Sequence, residues 1–138
     1  MNIGNKRIIK KDFINGVNLS IEKWTNIKNT IIELKTPYSD ENVVYNDCGV
    51  CKFTKKYMKI INQNSINCNF CQKLKIWGKN PECSFIIERD NDCWNFCKNN
   101  IKYQLATCNL ILKYLNNALK NIDDIVDKFK ILLNENFR

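Results

Sequence analysis

Four cysteines in two closely spaced pairs are the feature that most constrains how this chain can fold. Cys48 and Cys51 form one C-x2-C pair, and Cys68 and Cys71 form a second pair after an intervening loop of sixteen residues. A two-residue gap lets one tight turn direct both sulfur atoms of a pair at a single ion, and four thiolates match the tetrahedral preference of Zn²⁺. The spacing therefore predicts one structural zinc, closed to water, held by these four cysteines.

The other four cysteines follow the second pair. Cys93 and Cys97 are four residues apart, and together with Cys83 they are candidates for a second zinc site that lacks an assigned fourth ligand. Cys108 lies eleven residues beyond Cys97, about 16 Å along a straight helix, which is too far for the two to share an ion. We expect Cys108 to be a small, buried apolar side chain.

The two pairs resemble those of zinc-ribbon and treble-clef zinc fingers, in particular the four-cysteine fingers whose second pair opens a helix. Cys68 and Cys71 stand directly before residues 72–77, which fit that helix. The proline and glycine common around such knuckles are missing after Cys51 and Cys71. The resemblance covers about residues 47 to 78 and implies a structural metal and a binding role, toward nucleic acid or toward protein.

The first pair also permits a different interpretation. Val43, Val44 and Tyr45 form a strand candidate ahead of Cys48 and Cys51, and a helical run follows, which looks like the redox dithiol of thioredoxin-like proteins. A thiol at the start of a helix has the lowered pKa that such chemistry needs. The second pair has no role in this interpretation, so a thiol oxidoreductase using the first pair is kept as an alternative.

Apolar residues at helical spacing mark both ends of the chain. Ser20 is a candidate N-cap for a helix over residues 20–35, and helical periodicity returns after residue 92. One unbroken helix to residue 137 would be about 69 Å long, against a radius of gyration of about 14 Å for a compact chain of this length, so we place a break near Asn121. The carboxylates that follow, Asp123, Asp124 and Asp127, suit the first turn of a new helix. The stripe after residue 92 comprises Trp94, Cys97, Ile101, Leu105, Cys108, Leu112, Leu115, Leu119, Ile122, Val126, Phe129 and Leu133.

The predicted fold is mainly α and forms a single domain over residues 1–138. With only 4 Gly and 2 Pro in 138 residues, the chain has no linker-like stretch. We expect an N-terminal helix at 20–35, a small zinc-stabilised central module at 44–90 with little strand, and a long C-terminal helix or helical hairpin at 92–138.

An excess of lysine marks the central module. Residues 48–90 carry a formal charge of +5 from 8 basic and 3 acidic side chains, against +1 for 1–47 from 7 and 6 and +2 for 91–138 from 7 and 5. Lysines spaced along one helix face can follow a phosphate backbone without reading base sequence, and a nearby aromatic ring can stack on a base. The N-terminal basic residues, Lys6 to Lys11, are a candidate second arm. The candidate nucleic-acid-binding residues are Lys52, Lys55, Lys56, Lys59, Lys73, Lys75, Lys79 and Trp77.

Histidine is absent from the sequence. Its absence excludes Ser-His and Cys-His nucleophile activation and every metal site that contains histidine. No other catalytic constellation is visible, so we expect no enzymatic activity outside the redox alternative.

Composition and patterning also bear on source and partners. Asn, Ile and Lys supply 23, 19 and 19 residues, all written with A- and T-rich codons, which indicates an AT-rich genome such as that of a virus or phage. No signal-peptide or membrane-spanning pattern is present, so we expect an intracellular protein, cytoplasmic or nuclear. Our first hypothesis is a basic, zinc-stabilised protein that binds nucleic acid or a nucleoprotein complex. The alternative partner is a protein of a host machine, which a phage- or virus-encoded inhibitor or adaptor would bind through the C-terminal helical stripe; that stripe also permits self-association.

Overall fold

One long helix packs against each of the other three helices named below for the described residues. The computed structural model describes residues 5–40, 43–44, 48–60, 71, 73–79, 83, 86 and 100–136. Their helices are α1 (Lys6–Leu34), α2 (Gly49–Ile60), α3 (Ile101–Lys120) and α4 (Ile122–Asn136), and no strand occurs in these ranges. Helix α1 packs against α2, α3 and α4. The protein is mainly α, as the sequence predicts.

Helix α1 begins well before the position that the sequence pattern indicated. Asn5 is its N-cap, and the Asn5 side chain accepts a hydrogen bond of 2.9 Å from the backbone N–H three residues later. The prediction that Ser20 caps this helix is wrong, because the apolar stripe continues toward the N-terminus through Ile9, Phe13 and Val17, which are all buried. Ser20 therefore lies in the middle of α1, where it is fully buried.

The C-terminal stripe contributes many of the side chains of the hydrophobic core. The C-terminal helical region is interrupted at Asn121, close to where we expected a break: α3 ends at Lys120 and α4 begins at Ile122. Cys108 is 0% exposed, and its burial raises the pKa of the thiol to about 12, so it is the buried apolar side chain that we predicted. The described members of the stripe are buried in the core or packed against it. Binding of a partner or of a second copy through this stripe stays a prediction. The buried members of the stripe include Cys108, Leu115, Val126, Phe129 and Leu133, and the neighbouring Ile111, Ala118 and Ile125 are buried as well.

Aromatic rings join α1, α2 and α4. The centroid of the Phe53 ring lies 5.2 Å from that of Phe13 and 4.8 Å from that of Phe129, and Tyr57 lies edge-on to Phe129 at 5.5 Å. Edge-to-face and tilted rings at such separations are favourable beyond their buried area. This cluster fixes α2 against the long helices.

Two glycines let α1 and α2 approach each other closely. A Cβ atom on Gly49 would lie 2.0 Å from the carbonyl oxygen of Gly16, and a Cβ atom on Gly16 would lie 2.7 Å from the carbonyl oxygen of Gly49. The two backbones are therefore in direct contact at this crossing. Because Gly49 is the first residue of α2, the crossing holds the start of that helix on α1.

The segment between α1 and α2 is also fixed at specific points. Val43 and Val44 are helical rather than the start of a strand, because the Asp40 carboxylate accepts a hydrogen bond of 3.2 Å from Val43 N–H and so caps a helical turn. Tyr45, the third residue of the strand candidate, lies outside the described residues. Gln104 of α3 is fully buried; its side-chain oxygen accepts from Tyr38 N–H at 2.8 Å, and its side-chain nitrogen donates to Tyr38 O at 3.1 Å.

Among the helices that the structure describes, none is long and apolar enough to cross a membrane.

Candidate metal centre

The first cysteine pair lies at the N-terminus of α2. Cys48 directly precedes the helix and Cys51 lies within its first turn. Both side chains are half-buried thiols, and no disulfide joins them. The arrangement follows from the sequence, because a two-residue gap at a helix start brings both sulfur atoms to the same side.

Cys48 is the thiol of this pair that ionises first. A hydrogen bond from the Cys51 thiol is the largest influence that lowers the pKa of Cys48, and the backbone N–H of Cys51, the Ser20 hydroxyl and the positive charge of Lys23 act in the same direction. Together they outweigh the desolvation that raises it. Because Cys51 is the donor of that hydrogen bond, the bond raises the pKa of the Cys51 thiol. The surroundings of this pair therefore favour the thiolate of Cys48 over that of Cys51.

Two further cysteines come near this pair. Cys71 is buried and Cys83 is half-buried, and the negative charge of either thiolate raises the pKa of Cys51, so both lie within electrostatic reach of the Cys51 sulfur. Cys83, which we placed in a second zinc site, lies in the neighbourhood of the first. Within the described ranges, no three cysteine or acidic side chains are already close enough together to hold a metal ion. Cys68, Cys93 and Cys97 lie outside the described residues.

The donor set nevertheless suits zinc. The candidate ligands that the structure describes here, Cys48, Cys51, Cys71 and Cys83, are all sulfur donors, and soft thiolates are the ligands of structural Zn²⁺. Zinc binding requires deprotonated cysteines. The hydrogen bonds that favour the Cys48 thiolate supply that state for the first ligand.

Two polar residues of α1, Ser20 and Lys23, lie near Cys48, and neither was predicted as a residue of the site. Ser20 Oγ lies 3.6 Å from Cys48 Sγ and accepts a hydrogen bond of 3.3 Å from Val50 N–H. Lys23 Nζ donates to Val44 O at 2.8 Å, which holds its charge beside the cysteine pair. The available signal was a serine lying within the apolar stripe of α1, where a buried hydroxyl needs a partner.

The lysines of the module differ in their environment. Lys56 Nζ lies 2.8 Å from Asp12 Oδ2, so its charge is already partly balanced, and the side chain of Lys59 is outside the described set. The remaining candidates are exposed, and none has an ion-pair partner within the described part of the chain. We call these five residues the module lysines: Lys52, Lys55, Lys73, Lys75 and Lys79.

The N-terminal basic residues do not form a separate arm. They belong to α1, where Lys6 Nζ lies 2.7 Å from Asp127 and Lys10 Nζ lies 2.9 Å from Asp123. The carboxylates of α4 are thus ion-pair partners for α1 as well as residues of a helix start. The prediction of a second basic arm is wrong for these two lysines.

Trp77 is 2% exposed, so the prediction that its ring stacks on a base is wrong. It lies in the segment that we expected to be a helix; residues 71 and 73 are helical, whereas 74–79 form a turn. Gly78 has a left-handed φ of 61°, and a Cβ atom there would lie 2.7 Å from a ring carbon of Tyr114 on α3. The turn is therefore packed closely on α3, with Trp77 in the core.

The chain matches no known family model, no curated protein and no solved structure. The interpretation of the site therefore depends on the residues themselves.

Proposed function

We propose that this chain is a small, basic, zinc-stabilised protein that binds nucleic acid or a nucleoprotein complex and has no catalytic activity. The observation that supports the proposal is that Cys48 and Cys51 lie together at the start of α2, with Cys71 and Cys83 near enough for their charges to affect Cys51. The module lysines belong to the same two segments of the chain as Cys48, Cys51 and Cys71. The metal would fix these segments, and the lysines would provide the binding surface.

Zinc would be held by Cys48, Cys51 and Cys71 with one more cysteine. The C-x2-C spacing favours Cys68 as that ligand, and its closeness to Cys51 favours Cys83. Four thiolates on one Zn²⁺ leave a net charge of −2, so the chain would change from its formal +8 to +6. Nearby positive charge such as that of Lys23 stabilises such a centre.

Phosphate is the partner that the module lysines suit best. Five exposed ammonium groups without ion-pair partners in the described ranges attract a polyanion, and binding releases its condensed counterions. Lysine binds phosphate as a point charge, without the two-pronged geometry by which arginine reads guanine. With Trp77 buried, base stacking on that ring does not contribute. We therefore expect binding that depends strongly on salt and little on sequence.

The salt dependence of binding tests this proposal. If all five module lysines contact phosphates, log affinity for duplex should fall against log salt with a slope of about −4.5, and for single strands with a slope of about −3.5. Changing the five to glutamine should reduce the slope toward zero and weaken every sequence alike. A matched control changes five exposed lysines elsewhere, Lys11, Lys35, Lys102, Lys113 and Lys120, and so removes the same charge.

The control variant should keep most of the slope. Equal losses in the two variants would mean that net charge alone drives binding. No salt-sensitive binding of the native protein to RNA or DNA near physiological salt would contradict the nucleic-acid proposal and favour a protein partner.

A thiol oxidoreductase is the second candidate, because one observation favours it. Cys48 lies at a helix start with a lowered pKa, and its partner Cys51 is positioned to resolve a mixed disulfide. In that reaction the Cys48 thiolate would attack a substrate disulfide, and Cys51 would then displace the reduced substrate as the pair closes to its own disulfide. A folded, metal-free protein whose first pair cycles between dithiol and disulfide would favour this function over zinc binding.

A further inference from the structure

We propose that Ser20 is a positioning residue of the zinc centre, and that its hydroxyl donates a hydrogen bond to the metal-bound thiolate of Cys48. The inference depends on the proposed zinc site and adds to it a residue from a different helix. Ser20 belongs to α1, whereas the first cysteine pair belongs to the start of α2.

The hydrogen-bonding capacity of Ser20 determines the direction of this bond. A serine hydroxyl has one hydrogen to donate and can accept through its oxygen lone pairs. Val50 N–H donates to Ser20 Oγ at 3.3 Å, which uses the oxygen as an acceptor. Ser20 Oγ also lies 3.6 Å from Cys48 Sγ, and its hydroxyl hydrogen can be donated to that sulfur. A metal-bound thiolate carries no hydrogen, so in the zinc-loaded site only Ser20 can be the donor.

The crossing of α1 and α2 explains how so short a side chain reaches the site. Gly16 lies one helical turn before Ser20, on the same face of α1, and it is in backbone contact with Gly49. This contact brings the start of α2 within reach of a single hydroxyl. Ser20 is fully buried, and a buried hydroxyl without partners is costly, so its two bonds to the cysteine segment account for a polar residue in an apolar stripe.

Such a bond would orient the sulfur atom and stabilise its negative charge. Outer partners of metal ligands typically change metal affinity by about 10- to 100-fold when they are removed. We therefore expect Ser20→Ala to weaken zinc binding by about that factor, measured by competition with a chelator of known affinity. Ser20→Thr keeps the hydroxyl and should retain native affinity.

Thr30→Ala is the matched control. Thr30 is another hydroxyl residue on α1, but its Oγ1 donates at 2.8 Å to Asn26 O of the same helix. Removing it tests the general effect of deleting a helical hydroxyl. We expect it to leave zinc affinity unchanged.

A spectroscopic readout separates hydrogen bonding from general stabilisation. With Co²⁺ in place of zinc, a hydrogen bond to the thiolate lowers the energy of the sulfur lone pair, so its loss in Ser20→Ala should move the sulfur-to-cobalt charge-transfer band to longer wavelength. Ser20→Thr should keep the native band. In the native protein loaded with the NMR-active isotope of cadmium, a scalar coupling between the metal and the Ser20 hydroxyl hydrogen should be visible, and this needs no variant.

The outcomes distinguish the inference from the proposed function. A native protein that binds neither zinc nor cobalt contradicts the zinc site itself. If the native protein binds metal but Ser20→Ala has native affinity and an unmoved band, the role of Ser20 is refuted. A weakened affinity with an unmoved band refutes it too, because Ser20 would then act only as a cap for α2. If Ser20→Ala does not fold, absence of the cadmium coupling in the native protein is the overturning result.

Discussion

The contact between Gly16 and Gly49 predicts a large effect from a single added methyl group. In Gly49→Ala the new Cβ atom would lie 2.0 Å from the Gly16 carbonyl oxygen and 2.8 Å from Leu19 Cβ. To reach even 3.0 Å from that oxygen, the two backbones must separate by 1.0 Å. Neither obstacle is the end of a flexible side chain, so the strain cannot be relieved by a rotamer change.

The expected cost lies at the upper end of the range for overpacking. Inserting atoms into a closely packed contact costs about 1–3 kcal/mol, and alanine recovers up to about 1 kcal/mol through its higher helix propensity. We expect Gly49→Ala to lower the free energy of unfolding by about 2 kcal/mol, or the melting temperature by about 8 °C. Zinc affinity should fall as well, because the separation moves Cys48 away from Ser20.

Thermal unfolding followed by circular dichroism at saturating zinc measures this effect. Asn15→Ala is the control, since Asn15 is exposed beside the crossing on α1 and should be neutral or slightly stabilising. Gly16→Ala should also destabilise, and the double variant should lose less than the sum, because one displacement relieves both clashes. A Gly49→Ala protein with native stability and native zinc affinity would refute the close crossing.

Three further effects follow from specific polar contacts of the fold. Gln104→Leu removes both side-chain hydrogen bonds to the backbone of Tyr38, so we expect urea unfolding to show a loss of about 2–4 kcal/mol in the free energy of unfolding; a loss near zero would contradict a stabilising role of these two bonds. Tyr57 donates at 2.7 Å to Asp12, and Tyr57→Phe should cost about 1–2 kcal/mol in the same assay, whereas an unchanged midpoint would contradict a stabilising role of this part-buried bond. The hydrogen bond from Lys56 is the main influence that lowers the pKa of Asp12, so Asp12 stabilises the fold above its unfolded pKa of about 3.9, and this contribution is lost as pH falls through the lower folded pKa. Because Lys56 is exposed, we expect the free energy of unfolding to fall by less than about 1 kcal/mol as this carboxylate is protonated. In Asp12→Asn this acid-dependent loss should disappear, and a variant with the same stability decrease at low pH as the native protein would contradict it.

Local patterns in the sequence predicted the helical framework well. The apolar periodicity after residue 100 predicted the buried faces of α3 and α4, and the acidic residues after Asn121 predicted the break between these two helices. The start of α1 was missed because Ser20 has the residue type of an N-cap. Only its contact with α2, thirty residues away along the chain, explains why a serine lies in the buried stripe.

The site was predictable only in part, for a similar reason. The C-x2-C spacing predicted that Cys48 and Cys51 lie side by side, because the geometry of such a pair is set within one helix turn. The nearness of Cys83 to Cys51 is set by tertiary packing, which spacing does not encode. The burial of Trp77 likewise follows from the packing of its turn on α3, and the balancing of Lys56 follows from Asp12 on a different helix.

The metal content of the intact, folded chain is the sharpest test of the proposed zinc centre. Native mass spectrometry combined with counting of alkylated thiols should find one zinc per chain, with four cysteines protected until a chelator is added. Cys68→Ser and Cys83→Ser should show which of these two cysteines is the fourth ligand, with Cys108→Ser, which changes a cysteine of the core, as the control. Substituting a true ligand should release zinc and unfold the central module, because metal binding and folding are coupled there. A chain that is fully folded without metal, with Cys48 and Cys51 alternating between dithiol and disulfide, would contradict the account.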